Sequence, residues 1–363
     1  MFRRIVLAVV LTLACARVAH AQDPEHPMQS EGEFPKLRLT GFGNVDFSRQ
    51  QHAAGKRHFS LGQFVLHMTS QLSTRVTFFG ELSFTARTDA GTGTPVAPGF
   101  NLEVERMILR IDQSDQLRVS FGRYHTPINY WNTAYHHGAW LQTTIDRPEM
   151  IMFGGRFLPV HFIGALVEGT APAGGWNIGY KAGFGNGRAQ VISRGGDPGD
   201  VNGTLAYLAS LGTKPDRIYG LEAGVSFYTD TITVSGSPEV HERIATAHLA
   251  YTKETPEFIA EYATVRHEQA GSGTVVSRAY YVQTGYRFEF DARTWKAYYR
   301  FEHIGIPSSD PVFSTIPLLD QSTIGLRYDA SSFAAIKGEF RTWTRGPGTV
   351  RDRGGYFQVA FTF

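Results

Sequence analysis

The chain closes on Tyr356-Phe357-Gln358-Val359-Ala360-Phe361-Thr362-Phe363. Side chains alternate across an extended strand. Phe357, Val359, Phe361 and Phe363 therefore share one face, and Tyr356, Gln358, Ala360 and Thr362 share the other. A half-buried strand of a soluble sandwich alternates in the same way, so the pattern alone does not decide. Chain ends usually fray, and an apolar aromatic as the last residue predicts an end held in place by a neighbouring strand.

Upstream, the same alternation recurs until sixteen segments are counted. In 75–87, Val76, Phe78, Leu82, Phe84 and Ala86 oppose Arg75, Thr77, Glu81, Ser83 and Arg87. Around 295–302, Trp295, Ala297, Tyr299 and Phe301 oppose Lys296, Tyr298, Arg300 and Glu302. The first segment, 37–47, sets Leu37, Leu39, Val45 and Phe47 against Arg38, Thr40, Asn44 and Asp46. Eight long connections and seven short ones join the segments in alternation. A sandwich mixes its connection lengths, whereas a transmembrane barrel has short periplasmic turns, longer extracellular loops and both termini in the periplasm. Closure also removes the sheet edges that lipid cannot satisfy. The reading is all-β: a transmembrane antiparallel barrel of about sixteen strands over 36–363, in which 356–363 pairs with 37–47. The closing stretch resembles the last strand of Gram-negative outer-membrane barrels, which commonly ends in Phe.

Residues 1–21 read as a secretory signal, with Arg3 and Arg4, an apolar run over 5–13, and Ala19-His20-Ala21 before the cut. Residues 22–35 are a polar periplasmic lead-in containing three prolines. Cleavage after Ala21 removes Cys15, the sole cysteine, so disulfides play no part. It also removes Arg3, Arg4 and Arg17, taking the formal charge from +2 to about −1 and leaving no basic excess for a nucleic acid. Mean hydropathy is −0.21, and no later stretch is apolar for the roughly 18 residues a membrane helix needs. A barrel is compatible with this, because inward-facing residues dilute the apolar signal.

A lipid-facing Arg or Lys at mid-membrane costs about 2–4 kcal/mol. The charged set, including Arg75, Glu81, Arg87, Lys296, Arg300, Arg327, Lys337, Glu339 and Arg341, is therefore expected to face inward. Sixteen strands enclose more space than side chains fill, which leaves an aqueous channel. Trp176, Trp295, Tyr286, Tyr299 and Tyr328 are candidates for interfacial girdles.

The longest connection, 124–156, carries five aromatics: Tyr124, Tyr130, Trp131, Tyr135 and Trp140. Loops longer than about 12–15 residues are usually functional or disordered, and this composition argues against disorder. The economical placement is inside the barrel, narrowing it. With Gly122-Arg123-Tyr124-His125-Thr126-Pro127 opening the loop, the chain resembles a Gram-negative general-diffusion or phosphate-selective-type porin. The resemblance implies a third loop that constricts a sixteen-stranded pore, recognition by the barrel-assembly machinery, an outer-membrane lipid environment and, as is common at this size, a homotrimer. Two departures stand out: Gln358 occupies a position where the assembly signal usually has Gly, and the loop has no lysine cluster of the phosphate-pore kind.

The candidate lumen and constriction residues are Arg75, Arg87, Arg106, Arg110, Arg118, Arg123, His125, Arg147, Lys296 and Arg300, with Asp146 and Glu149 as the acidic side. Basic side chains around a narrow pore favour anions. The competing reading is that the arginines pair with Glu81, Glu103 and Glu105 and brace the wall. His125, His136 and His137 are expected to bond to backbone or water; no helical pair or cysteine supports a metal site there, and no cofactor is implied. No Ser–His pairing marks a barrel phospholipase. The expected function is passive diffusion of small hydrophilic solutes, with an anion preference and no chemical step. The alternative is a plugged barrel with a receptor, adhesion or envelope-structural role.

Overall fold

A computed structural model describes residues 34–50, 57–86, 100–135, 137–152, 156–188, 192, 197, 199–200, 202–233, 238–271, 273–314, 316, 318–346 and 350–363. The expected signal peptide, Arg87 and His136 lie outside the described residues, as does most of the lead-in. The strands are β1 (Lys36–Gln50), β2 (Arg57–Gln71), β3 (Val76–Ala86), β4 (Phe100–Ser114), β5 (Leu117–His125), β6 (His161–Ala171), β7 (Ile178–Asn186) and β8 (Ala206–Thr213). There follow β9 (Leu221–Ile232), β10 (Val240–Tyr251), β11 (Glu257–Gln269), β12 (Gly273–Phe290), β13 (Arg293–Gly305), β14 (Leu319–Ser331), β15 (Ala334–Arg345) and β16 (Arg351–Thr362).

Each strand pairs with its sequence neighbours and β1 pairs antiparallel with β16, so the sheet closes. Val45 stands opposite Val359 and Phe47 opposite Phe357. Gly41 and Phe363 exchange backbone hydrogen bonds of 2.8 and 3.0 Å, which anchors the last residue. Phe357 and Phe363 face outward, and Gln358 faces inward. Gln358 is buried and does not look into open water. Its amide donates to Asp46 Oδ1 at 2.9 Å and its carbonyl oxygen accepts from Lys337 Nζ at 3.0 Å.

The alternation has the expected sense. On β13, Lys296, Tyr298, Arg300 and Glu302 are buried in the interior, while Tyr299 is exposed on the outer surface. Trp295 stacks on Tyr328 on that outer surface, with ring centroids 4.7 Å apart. Arg243, Arg266 and Glu268 lie outside the barrel near the β10–β11 strand ends, and both arginines pair there with Glu268.

Two details differ from the sequence reading. The strands run further than the alternation suggests: β12 has 18 residues, and only 270–272 separate it from β11. The strict contrast of long and short connections is blunted there because the hairpin itself continues beyond the apolar belt. The second detail is a bulge. Glu81 pairs with Arg106, the next residue Leu82 pairs with Val104, and Glu105 is the extra residue. A bulge leaves one residue unmatched and turns consecutive side chains toward one face. Glu105 and Arg106 accordingly both reach inward.

Candidate functional site: the loop across the lumen

β5 extends through His125 and β6 begins at His161, so Tyr124 and His125 belong to the wall and the third loop (L3) is 126–160 rather than 124–156. L3 contains a short helix, α1 (Tyr130–Ala134), N-capped by the Asn129 side chain, which accepts from Asn132 N–H at 2.9 Å. It also contains one 3-10 turn, Glu149–Ile151.

A loop with little secondary structure of its own must find partners for its backbone polar groups. The inner wall supplies them. Ser210 on β8 donates to Pro127 O at 2.7 Å, and Thr246 on β10 donates to Ile128 O. Glu261 on β11 accepts from the N–H groups of Tyr130 and Trp131 at 2.7 and 2.9 Å, and from the Tyr281 hydroxyl at 2.7 Å. Arg327 on β14 donates to the carbonyls of Trp140 and Gln142, both at 2.8 Å. Lys337 on β15 donates to Ala139 O at 2.5 Å and Thr144 O at 2.9 Å, and Glu339 accepts from Ile145 N–H at 2.7 Å. The loop thus lies within the barrel and is fastened to strands far from those it joins.

Apolar packing does the rest. Ile128, Trp131, Met150, Ile151, Phe157 and Leu158 are buried against inward side chains such as Ile244, Ile259, Val265 and Tyr281. The inner face of β10 and β11 is mixed for this reason, with Ile244, Ile259, Ala263 and Val265 packing the loop and Thr246 and Glu261 bonding its backbone.

The sequence-predicted residues divide into several places. Asp146, Arg147, Glu149 and Arg300 meet at a cavity of about 460 Å³, which is also lined by Arg341, Arg345, Asp352 and Tyr356. There Asp146 pairs with Arg341 at 2.5 Å and Glu149 with Arg345 at 3.1 Å. Arg300 donates to Asp146 O at 2.8 Å and pairs with Glu302 at 2.7 Å. Asp146 is half exposed to the cavity; desolvation by the surrounding wall opposes its ionisation, but Arg341, Arg300 and Lys337 outweigh it and hold its pKa below the usual value. Glu149 goes the other way: burial raises its pKa, Arg345 opposes this, and Glu302 and Asp146 add to the rise.

The remaining basic candidates do not form the expected ring. Lys296 is buried and pairs with Glu257 at 2.5 Å. Arg106 pairs with Glu81. Arg123 pairs with Glu103 at 3.2 Å and Asp197 at 2.9 Å. Arg110 pairs with Asp112 at 2.9 Å and Arg118 with Asp115 at 3.0 Å. Arg75 is exposed in the β2–β3 turn, where its N–H donates to Ser73 Oγ. Bracing the wall is therefore what Arg106 and Arg123 do. The basic wall opposite the L3 carboxylates is instead Arg300, Arg341 and Arg345 on β13 and β15. Inward alternation on β15 marks Arg341, but nothing local marks it as the partner of Asp146.

A second cavity, about 280 Å³, lies beside α1 and the β5–β10 wall, with Arg118, Lys181, Lys214, Glu168, Glu222 and His248 among its lining. His125 lies apart from Asp146 and Glu149, in a cluster with His137, His161, Glu81 and Glu105.

The architecture is shared with known proteins. An anion-selective porin from Comamonas acidovorans superposes with a TM-score of 0.63 at 12% identity, covering 91% of this chain and 100% of that one. The fold is that of a sixteen-stranded outer-membrane porin. The outer-membrane channel DcaP of Acinetobacter baumannii gives 0.59 at 10% identity, covering 90% and 97%. The outer-membrane protein OmpT of Vibrio cholerae, in its trimer form, gives 0.59 at 12% identity, covering 90% and 99%. No protein-family model matches the chain, and no curated relative matches it in sequence.

Proposed function

We propose that this chain is a passive outer-membrane porin for small hydrophilic solutes, anion-preferring, with L3 as its constriction and no chemical step. The observation that carries the reading is the cavity between L3 and the β13–β15 wall. Asp146 and Glu149 stand on the loop there, and Arg300, Arg341 and Arg345 stand on the barrel. Arg147 and Asp352 complete a lining of four guanidiniums against three carboxylates, a balance that favours anions in a narrow polar passage. The likeness to an anion-selective porin supports the same direction, and the trimer form of OmpT supports a homotrimer. The periplasmic placement of both termini and insertion by the barrel-assembly machinery belong to this reading.

Reconstitution in planar bilayers tests it. Stepwise conductance is expected, with a reversal potential in a KCl gradient on the anion side. Arg341→Gln with Arg345→Gln should move that potential toward cations. Cation selectivity of the wild type would refute the anion preference. The many bonds between L3 and the wall favour one other reading, a plugged barrel with a receptor, adhesion or envelope-structural role. Absence of both conductance steps and liposome swelling would establish it over the porin.

A further inference from the structure

The five consecutive strands β2–β6 and the loop L3 bring metal-ligating side chains to one point that the transport reading does not use. His125 closes β5 and stands opposite His161, the first residue of β6. Glu105 is turned inward by the β4 bulge, and His137 descends from L3. His161 Nε2 lies 2.7 Å from Glu105 Oε2, and His137 Nε2 lies 3.3 Å from Glu105 Oε1. The ligand atoms of Glu105, His125 and His161 fall within 4.8 Å of one another, as do those of Glu81, His125 and His137. His125 is common to both groups.

We propose that this cluster is a binding site for one zinc-class divalent cation, with Glu105, His125 and His161 as the set already within reach of one ion and His137, 3.3 Å from Glu105, drawn in as the fourth ligand. Imidazole nitrogen and carboxylate oxygen are the donors such ions take, usually four at a time. The surroundings have the form that supports ligands. His137 Nδ1 lies 3.1 Å from Gln63 Oε1; in the tautomer that donates Nδ1–H to this amide oxygen, Nε2, on the Glu105 side, carries the lone pair a metal takes. Ser83 donates to Glu105 Oε1 at 2.7 Å and fixes that carboxylate.

Glu81 is assigned the outer position rather than a ligand role. Arg106 holds one of its oxygens, and His67 Nε2 lies 3.0 Å from the other. Arg123 stays 3.8 Å from Glu105 Oε2 and is engaged by Glu103 and Asp197. His67, Arg106 and His161 keep partial exposure, which leaves the cluster a way in for an ion. Three ligands come from the wall and one from L3, so a bound ion ties the loop to β4, β5 and β6.

The test uses the full-length barrel, folded in detergent, stripped with a chelator and titrated with Zn²⁺ by calorimetry and with Co²⁺ by visible absorption. One equivalent per chain is expected, with the intense d–d bands of four-coordinate Co²⁺. His137→Gln and Glu105→Gln should each weaken binding at least tenfold, Glu81→Gln less, and His303→Gln, outside the barrel, not at all. Should a variant fail to fold, wild-type protein still decides: Zn²⁺ should raise its unfolding temperature and slow proteolysis of L3, and the chelator should reverse both. No saturable uptake, or uptake untouched in folded His137→Gln and Glu105→Gln, overturns the site. The readouts are uptake and spectra, so they stand or fall independently of conductance.

Discussion

Glu261 is the side chain on which the position of α1 turns. Its carboxylate accepts from Tyr130 N–H, Trp131 N–H and the Tyr281 hydroxyl at 2.7, 2.9 and 2.7 Å, and both Glu261 and Trp131 are almost fully buried. Glu261→Ala leaves two helix-end amides with no acceptor. A hydroxyl can rotate toward another partner; an amide in a packed loop cannot. At ~1–3 kcal/mol for each buried unsatisfied donor, the locked loop loses about 2–6 kcal/mol. One power of ten corresponds to about 1.4 kcal/mol, so even the lower bound raises the released population about thirtyfold. When opening and closing outpace cleavage, the cleavage rate follows that population. Limited proteolysis of the folded barrel should then cut within L3 at least about thirty times faster in the variant. Glu261→Gln retains one acceptor oxygen and should fall between the two. A cleavage rate within about twofold of wild type, with the barrel still folded by heat-shifted electrophoretic mobility, would refute the assignment of Glu261 as the anchor.

Two further outcomes follow from named groups. Because the pKa of Glu149 is raised and that of Asp146 lowered, Glu149 takes its proton first as pH falls from about 7 toward its ordinary range near 4.5. The cavity then loses one negative charge while its guanidiniums remain, so anion preference should increase on acidification and become flat in Glu149→Gln, read as reversal potential against pH. The linkage has the same sign: a carboxyl with a raised folded pKa destabilises the ionised form, and that penalty disappears as pH falls through the folded value. Gly122→Ala should destabilise the barrel by about 1–3 kcal/mol, measured as a lower urea midpoint. Gly122 has φ of 139°, and a Cβ there would lie 1.8 Å from Met107 O.

Closure and facing were legible in the sequence because alternation is local. Gln358, Lys296 and Arg300 could be assigned inward from two neighbours on either side. The β4 bulge also leaves a trace in the sequence: outward apolar residues shift from even positions, Leu102 and Val104, to odd ones, Met107, Leu109 and Ile111. A change of parity within one strand requires an extra residue, and it would have brought Glu105 inward beside Arg106. The partners of L3 had no such trace. Glu261 and Glu339 look like any other inward carboxylates, and their hydrogen bonds to Trp131 and Ile145 span 130 and 194 residues. His161 opens β6 with no motif, so only the closed barrel reveals that it faces His125.

Counting inward cations overstates the field that a solute meets. A charge whose hydrogen bonds end on loop carbonyls is held by the loop's need for partners and is buried beneath it. Lys337 and Arg327 are of this kind, and Arg300, which donates to two L3 carbonyls, shares the character while also lining the cavity. Arg341 and Arg345 instead meet carboxylates, Asp146 and Glu149, at the surface of the cavity. The two kinds of cation should therefore separate under mutation. Lys337→Met removes a charged donor from two carbonyls and Gln358, costing about 1.5–3 kcal/mol for each charged hydrogen bond lost. It should loosen L3, seen as added current noise and faster proteolysis, with the reversal potential nearly unchanged. Arg345→Gln should do the converse, shifting the reversal potential toward cations and leaving L3 as resistant as in the wild type. If Lys337→Met moves selectivity as much as Arg345→Gln does, the buried lysine contributes to the permeation field, and the division between anchoring and filtering charges is wrong.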